Sequence, residues 1–423
     1  MNAIEIIDKK RRSQELSKEE IDFFFKAYLN TEIPDYQVAA LLMAICLNGL
    51  TDMETFYLTD VFIETGEYLD LSSIEGIKVD KHSTGGIGDK TTLVIAPVLA
   101  SCGLKMCKMS GKGLGYTGGT IDKLDSIPGF RTDLTKDEMI AQTREIGVAL
   151  SSQMGNLVPL DNLVYALRDV TATVESVPLI VASIMSKKIV SGADKIYIDL
   201  KVGSGALVKN TEEAANVIDL MKRIGIRYKK DVRVGVSDMD SPLGFSVGNA
   251  LEVIEAIQTL QGKASNNLSK LCTNMVVDVL IQSKGLTEAE ALKEAKESIS
   301  SGRAYKKFVE MVKYQGGDLS KLKVSDKKEE IKSPKTGTVV SIDAFKVGEI
   351  TNRLGAGRVK KSDLIDYGVG IVLNVETGDR IKEGDTVCTV YYNRNQHYTD
   401  ILKAFTIFTD KEMENFYYKY KDE

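Results

Sequence analysis

The sequence predicts an α/β protein in three parts: a small all-α lobe built from discontinuous segments, a larger α/β lobe around a central, mainly parallel sheet, and a β-rich C-terminal domain. Three features of the sequence point to it. Residues 1–67 repeat helix-start signals without a strand pattern. From Lys78 short β-type runs alternate with glycine turns and helical stretches, the pattern of a parallel sheet with crossover helices. Beyond Lys327, within the charged stretch Lys321–Lys332, the composition shifts to β-alternation between glycine turns. At about 150 residues per domain, a chain of 423 residues suits two or three domains.

In chain order, Ser17 and Glu20 form a capping box ahead of the apolar stretch Ile21–Leu29. Pro34 is expected to open a second helix at its first turn, and Gly49 to end it. Thr51 and Glu54 repeat the capping box for a helix stopping near Gly66. Lys78–Lys81, Thr91–Ser101 and Lys105–Ser110 read as strand, helix, strand. Lys195–Leu200 and Val232–Val236 add two strands around the helical stretch Thr211–Arg223. Between these groups, Leu160–Val174 and Leu179–Val190 are helical and interrupt the α/β pattern, so they are assigned to the all-α lobe. The expected division is 1–67 with 155–192 for the α lobe, 68–154 with 193–330 for the α/β lobe, and 331–423 for the C-terminal domain. Its phrase GDRIKEGDTV is similar to the half-barrel turn of biotinyl and lipoyl carriers, but their lysine-bearing hairpin is missing and a structural role is expected.

Composition narrows the function classes. Apolar residues make up 43% and charged residues 27%, an ordinary globular profile. Fifty-five basic against 60 acidic residues leave a net charge of −5, which gives no electrostatic footprint for wholesale nucleic-acid binding. The longest apolar run, Val38–Leu47, falls short of the about 20 residues a membrane span needs. The N-terminus shows no apolar core followed by a cleavage site, so neither a signal peptide nor a membrane role is expected. Five scattered cysteines read as free thiols in a reducing, cytoplasmic setting. Cys102 and Cys107 lack partners for a zinc site, because the histidines are His82 and His397.

The chemistry is concentrated in two glycine loops. In Val79-Asp-Lys-His-Ser-Thr-Gly-Gly-Ile-Gly-Asp-Lys-Thr-Thr-Leu93, a β-type run ends in a polar glycine turn and an apolar helix follows. Glycines let backbone N–H groups approach an anion, the helix start adds partial positive charge, Lys81 adds a full charge, and Ser83 and Thr92 add hydroxyl donors. That set suits phosphate better than a bare structural turn. The second loop, Lys108-Met-Ser-Gly-Lys-Gly-Leu-Gly-Tyr-Thr-Gly-Gly-Thr-Ile-Asp-Lys-Leu124, contains the formal dinucleotide fingerprint Gly113-x-Gly115-x-x-Gly118. A dinucleotide loop should open a long helix, and Pro128-Gly129 cuts this one short. A second phosphate wall fits better, with Lys108, Ser110 and Thr120 converging on the same anion as Lys81 and Ser83.

Further along, Tyr165 and Arg168 are three apart on one helical face, and Ser183 and Lys187 four apart on the next. From spacing alone a surface pair of Arg168 and Asp169, or snorkelling Lys187 and Lys188, explains these cations. Beside two phosphate loops they suggest phosphoryl or glycosyl transfer to an anionic leaving group.

KHSTGGIGDK, SGKGLGYTGGTIDKLD, YALRDVTATV, SIMSKK and PLGFSVGNALEVIEA together resemble the pyrimidine-nucleoside and thymidine phosphorylase family over essentially the whole chain. The resemblance implies reversible phosphorolysis of uridine, thymidine or deoxyuridine to free base and α-D-ribose or 2-deoxyribose 1-phosphate, in a homodimer with an active site between the α and α/β lobes. By position it implies phosphate at Lys81, Ser83, Thr92, Lys108, Ser110 and Thr120, and the pyrimidine at Tyr165, Arg168, Ser183 and Lys187. His82 is placed near the reacting centre, and His82, Arg168 and Lys187 are the candidate catalytic groups. No organic cofactor is implied. A potassium ion is, held by main-chain carbonyls and one carboxylate among Gly88, Lys90, Leu243, Ser246 and Glu255. Lysine at position 108 goes with members that accept uridine as well as thymidine. Three departures stand out: Lys112 replaces arginine, Tyr116 replaces histidine, and Lys90 brings an ammonium to the potassium position. Lys112 loses the planar fork of arginine, weakening any paired carboxylate contact. Rival readings are a thymidine-restricted phosphorylase, a non-catalytic nucleoside-binding dimer, and an anthranilate-type phosphoribosyltransferase, which would need acidic magnesium ligands the sequence does not place.

Overall fold

The computed structural model describes residues 1–113, 118–154, 157–358, 363–394 and 398–419. The chain opens with four helices, α1 (Ala3–Arg11), α2 (Lys18–Leu29), α3 (Asp35–Asn48) and α4 (Asp52–Glu64). Both capping boxes form: Ser17 with Glu20, and Thr51 with Glu54. Pro34 stands one residue before α3 as its cap rather than in its first turn, and its carbonyl accepts the N–H groups of Gln37 and Val38. Gly49 ends α3 at φ +70°, a conformation that suits glycine. Phe24, Phe25, Leu41, Leu42 and Phe62 fill the space between these helices.

The α/β part follows as β1 (Val79–Ser83), α5 (Thr91–Ser101), β2 (Met106–Ser110), α6 (Thr120–Asp125), α7 (Lys136–Ile146) and β3 (Val148–Ser152). The chain then returns to the first helices through α8 (Pro159–Arg168) and α9 (Val177–Val190), which pack on α2, α3 and α4. It comes back as β4 (Lys195–Val202), α10 (Thr211–Arg227) and β5 (Asp231–Asp238). The helix expected over 160–174 stops at Arg168, because the Arg168 side chain turns the next residues back by binding their carbonyls.

β1, β4 and β5 pair in parallel, as do β2 and β3. A bridge between Lys78 and Lys105 joins the two sets, giving the spatial order β3-β2-β1-β4-β5. The join lies at the starts of β1 and β2, where Val79 N–H donates to Lys105 O at 2.8 Å. The order reverses beside β1, and ligand sites of open α/β sheets lie at the strand carboxyl ends next to such a reversal.

Three segments cross between the helical and α/β parts, and they are laced together. Glu67 N–H donates to Leu157 O, and Leu69 N–H to Val190 O. Gly66 and Gly192 sit where a Cβ would come within 2.1 Å of Leu157 O and Leu69 O.

The remainder comprises β6 (Ser246–Val247), α11 (Asn249–Leu260), α12 (Asn267–Lys284), α13 (Glu288–Ser300), α14 (Arg303–Tyr314), β7 (Lys328–Lys332), β8 (Gly337–Ile342), α15 (Ala344–Thr351), β9 (Gly370–Leu373), β10 (Arg380–Ile381), β11 (Thr386–Tyr391), β12 (Phe405–Phe408) and α16 (Asp410–Lys419). Helices α11 to α14 pack against α5. The C-terminal strands form antiparallel sheets in the orders β10-β8-β12 and β6-β9-β11-β7. Because β6 belongs to the preceding part of the chain, it ties the C-terminal sheet to the α/β core.

Candidate active site

Strands of a buried parallel sheet are normally apolar. Here Asp80, Lys81, Lys108, Asp199 and Lys201 lie on β1, β2 and β4, each at most 3% exposed. Neighbouring residues on a strand face opposite sides. Lys81 turns toward α5, where its Nζ binds Thr91 Oγ1 at 2.6 Å and Asp199 Oδ2 at 3.0 Å. Lys201 approaches the same carboxylate at 3.0 Å, and Ser237 donates to its other oxygen at 2.7 Å. Burial opposes the charge on Lys81, but Asp199 and Asp89 outweigh it and its pKa is raised.

Asp80 faces the other way, toward α9. Its Oδ2 binds Lys188 Nζ at 2.7 Å, while Lys108 reaches Oδ1 at 3.7 Å. One carboxylate therefore serves two buried ammonium groups. Burial, with Lys188 next, pulls the pKa of Lys108 down to about 7, against the attraction of Asp80. His82, beside them, is driven well below its usual range by burial and by four lysines, Lys188, Lys108, Lys187 and Lys81. It is a neutral imidazole at neutral pH.

His82 thus lies within electrostatic reach of Lys188, Lys108 and Lys187, while Lys81, which also acts on it, is turned to the α5 side of β1. Ser83 closes β1 and its Oγ accepts the Gly85 N–H at 3.3 Å. Thr92 is buried in the first turn of α5, whose opening Thr91 N–H is capped by Asp89 Oδ1 at 3.1 Å. The second loop doubles back on itself: Ile121 N–H donates to Gly111 O, and a Cβ on Gly119 would lie 2.2 Å from Gly113 N. This closed neck sets Ser110, the last residue of β2, near Thr120, the first of α6. Asp122 accepts the Gly113 N–H at 2.6 Å, and Arg358 from the C-terminal domain grips Asp122 Oδ1 at 2.7 Å. Lys112 stands half-exposed 3.6 Å from Asp125, a loose contact. Gly115, Tyr116 and His397 lie outside the described residues. Helix α6 is six residues long, too short for a dinucleotide loop.

Arg168 is neither a surface pair nor free. It is 1% exposed, and its guanidinium donates to the carbonyls of Thr173, Val174 and Leu179 at 3.1, 2.7 and 3.1 Å. Lys187 binds Asp161 at 2.5 Å and Ser183 Oγ at 3.1 Å. Both cations lie over the Tyr165 ring, 5.8 and 5.2 Å from its centroid, so these four residues form one cluster. A crevice of about 330 Å³ runs from Met109 past Leu157 to Lys187, Lys188 and Ser191. Asp80, Lys188, Asp161, Asp199 and Lys201 are absent from the sequence-derived candidates. For Asp80, Asp199 and Lys201 the signal was charge inside or beside β-type runs that should have been apolar; Asp161 and Lys188 lie on helices α8 and α9, where charge gives no such signal. Lys188 is buried on Asp80 rather than snorkelling.

The proposed potassium residues also gather, but around something else. Lys90 points inward with its side chain fully buried. Its Nζ donates to Leu243 O at 2.8 Å, Ser246 O at 2.8 Å and Glu255 Oε2 at 2.7 Å. Gly88, at φ +75°, packs against the same carbonyls. An ion placed there would overlap the ammonium and be repelled by it. These residues do not fit a bound potassium while Lys90 occupies their centre. Among the described residues, no group of three or more His, Cys, Asp or Glu side chains could hold a metal, and no helix is long and apolar enough to cross a membrane.

Comparison with known proteins agrees with this architecture. Residues 4–66 match the glycosyl transferase family helical bundle domain, 75–305 the glycosyl transferase family a/b domain, and 338–407 the pyrimidine nucleoside phosphorylase C-terminal domain. The pyrimidine-nucleoside phosphorylase of Staphylococcus haemolyticus is 46% identical over 410 residues, 95% of this chain and 94% of that protein. That of Bacillus subtilis is 46% identical over 412 residues, covering 96% and 95%. The anthranilate phosphoribosyltransferase of Thermus thermophilus superposes with a TM-score of 0.58 at 17% identity, covering 73% of this chain and 99% of that one, a likeness of fold alone. With matches spanning all three parts and identity near half over almost its full length, the chain belongs to the pyrimidine-nucleoside phosphorylases, pentosyltransferases of the glycosyl transferase family.

Proposed function

We propose that this chain catalyses reversible phosphorolysis of uridine, thymidine and deoxyuridine, giving free base and α-D-ribose or 2-deoxyribose 1-phosphate. The supporting observation is the buried ammonium of Lys108 on β2, which shares Asp80 of β1 with Lys188. A buried cation short of counter-charge is costly, and a bound phosphate relieves it. Lys81, Ser83, Thr92, Ser110 and Thr120 complete the phosphate site in this reading.

Tyr165, Arg168, Ser183 and Lys187 hold the pyrimidine. A phosphate oxygen bonds to C1′ on the face opposite the base while the C1′–N1 bond breaks, and the bonding pair leaves with the pyrimidine, which then takes a proton from solvent. Lys187 and Arg168 meet the charge growing on the base, where fixed donors contribute most. For Arg168 that donation comes on top of three carbonyl contacts, so it also shapes the pocket. Neutral His82 hydrogen-bonds the pyrimidine without contributing a full charge. Lys108 also reads the ribose 2′-hydroxyl. The ligands sit on opposite sides of the three crossing segments, so the lobes close before chemistry, hinging near 66–78, 152–160 and 189–195; identical solution scattering with and without both ligands contradicts closure.

The resemblance to the family supports a homodimer, and the buried free thiols of Cys102, Cys107, Cys272 and Cys388 support a cytoplasmic setting. Phosphate serves as co-substrate; potassium is left out, because Lys90 fills its place. The test is release of free base from uridine and thymidine, each with and without phosphate. Phosphate-dependent release from both is expected. Release from thymidine alone overturns the role given to Lys108, and nucleoside binding without release overturns catalysis.

A further inference from the structure

Glu255 and Lys90 form a closed knot between the first glycine loop and the C-terminal side of the α/β core. Glu255 Oε1 accepts the Phe245 N–H at 2.7 Å and Asn266 Nδ2 at 2.8 Å, and Oε2 accepts the Ser246 N–H at 2.8 Å and the Lys90 ammonium at 2.7 Å. A lysine has three N–H donors, and all three of Lys90 are met, by two carbonyls and one carboxylate oxygen. Two main-chain carbonyls and a carboxylate, converging at 2.7–2.8 Å on one buried point, are the surroundings of a desolvated monovalent cation. Ammonium and potassium ions are nearly equal in size. Lys90 is also the residue that immediately precedes α5, so the cation is covalently part of the loop it steadies.

We propose that the Lys90 ammonium is a built-in replacement for a monovalent metal ion, making the fold and turnover of this chain independent of potassium. Lys90 is a positioning residue: it fastens the start of α5, and with it Ser83 to Thr92, to β6 and α11. The inference concerns the cation knot and stands whether or not phosphorolysis is the reaction.

The knot can be probed by thermal unfolding of the full chain in potassium or sodium chloride at equal ionic strength. For the unaltered chain the two curves are expected to coincide. Lys90→Ala opens a cavity ringed by the same oxygens, and potassium should raise its Tm by about 2 °C or more over sodium as the site fills. Lys90→Met keeps the bulk without the charge and leaves no room for an ion, so it should show no potassium preference. Where turnover is measurable, potassium should restore it selectively in Lys90→Ala, chiefly through KM for phosphate. A potassium-selective rise in Tm or turnover of the unaltered chain overturns the proposal. So does a folded Lys90→Ala that potassium does not favour over sodium. If Lys90→Ala does not fold, the comparison on the unaltered chain still decides.

Discussion

The α/β lobe buries lysines in two ways. At Lys90 each ammonium N–H meets an oxygen at 2.7–2.8 Å, and the paired carboxylate has both oxygens filled. At Lys108 the carboxylate lies 3.7 Å away and is held more closely by Lys188. Both lysines are almost wholly buried. Burial therefore does not separate these two lysines; the completeness of their pairing does. Lys90, fully satisfied, holds pieces of the fold together, and Lys108, under-compensated, is the one left to meet an anion.

That contrast can be broken by substitution. The largest effect is expected at the satisfied site: Lys90→Met strands Glu255 as a buried charge and should lower stability by about 3–5 kcal/mol, read as a fall in the urea midpoint. Next is Lys187→Met, which removes charge stabilisation at the pyrimidine and should reduce kcat for uridine about 10²–10³-fold; near-normal turnover removes Lys187 from the chemistry. Lys108→Met should do the reverse of Lys90→Met. Asp80 keeps Lys188, no charge is orphaned, and stability should change by no more than about 1 kcal/mol. Turnover of uridine should fall about 10–100-fold more than that of thymidine, the worth of one charged hydrogen bond to the 2′-hydroxyl; equal losses refute that contact.

The smallest effect is on pH dependence. A bound anion favours the charged form of Lys108, so its pKa rises from about 7 on binding. Below pH 7 the ammonium is already present and affinity is level. Above pH 7 each anion must bring a proton, and affinity falls up to about tenfold per pH unit. Sulfate, which does not titrate in this range, should show this slope as an inhibitor competing with phosphate. His82, neutral throughout, adds no slope there.

Much of this was legible in the sequence. The capping boxes at Ser17 and Thr51, the strand–loop–helix around Lys81 and the early stop of α6 follow from local rules. Helices α8 and α9 read correctly as an interruption of the α/β pattern. Long-range pairing was not legible. From spacing alone Arg168 looked like half of a surface pair with Asp169, because its three carbonyl partners become neighbours only once the chain turns after α8. Lys188 looked like a surface lysine because its partner Asp80 lies 108 residues away. Lys90 looked like an intruder at an ion site, and the fold shows its side chain at the centre.

The most direct measurement is proton uptake when sulfate binds at pH 7.5, by calorimetry in two buffers of different ionisation enthalpy. Burial lowers the Lys108 pKa to about 7 in the free protein and a bound anion raises it, so net uptake of a fraction of a proton per site is expected, and none in Lys108→Met. Equal uptake in both proteins, or none in either, would contradict the assignment of Lys108 as the unsatisfied cation of the phosphate site.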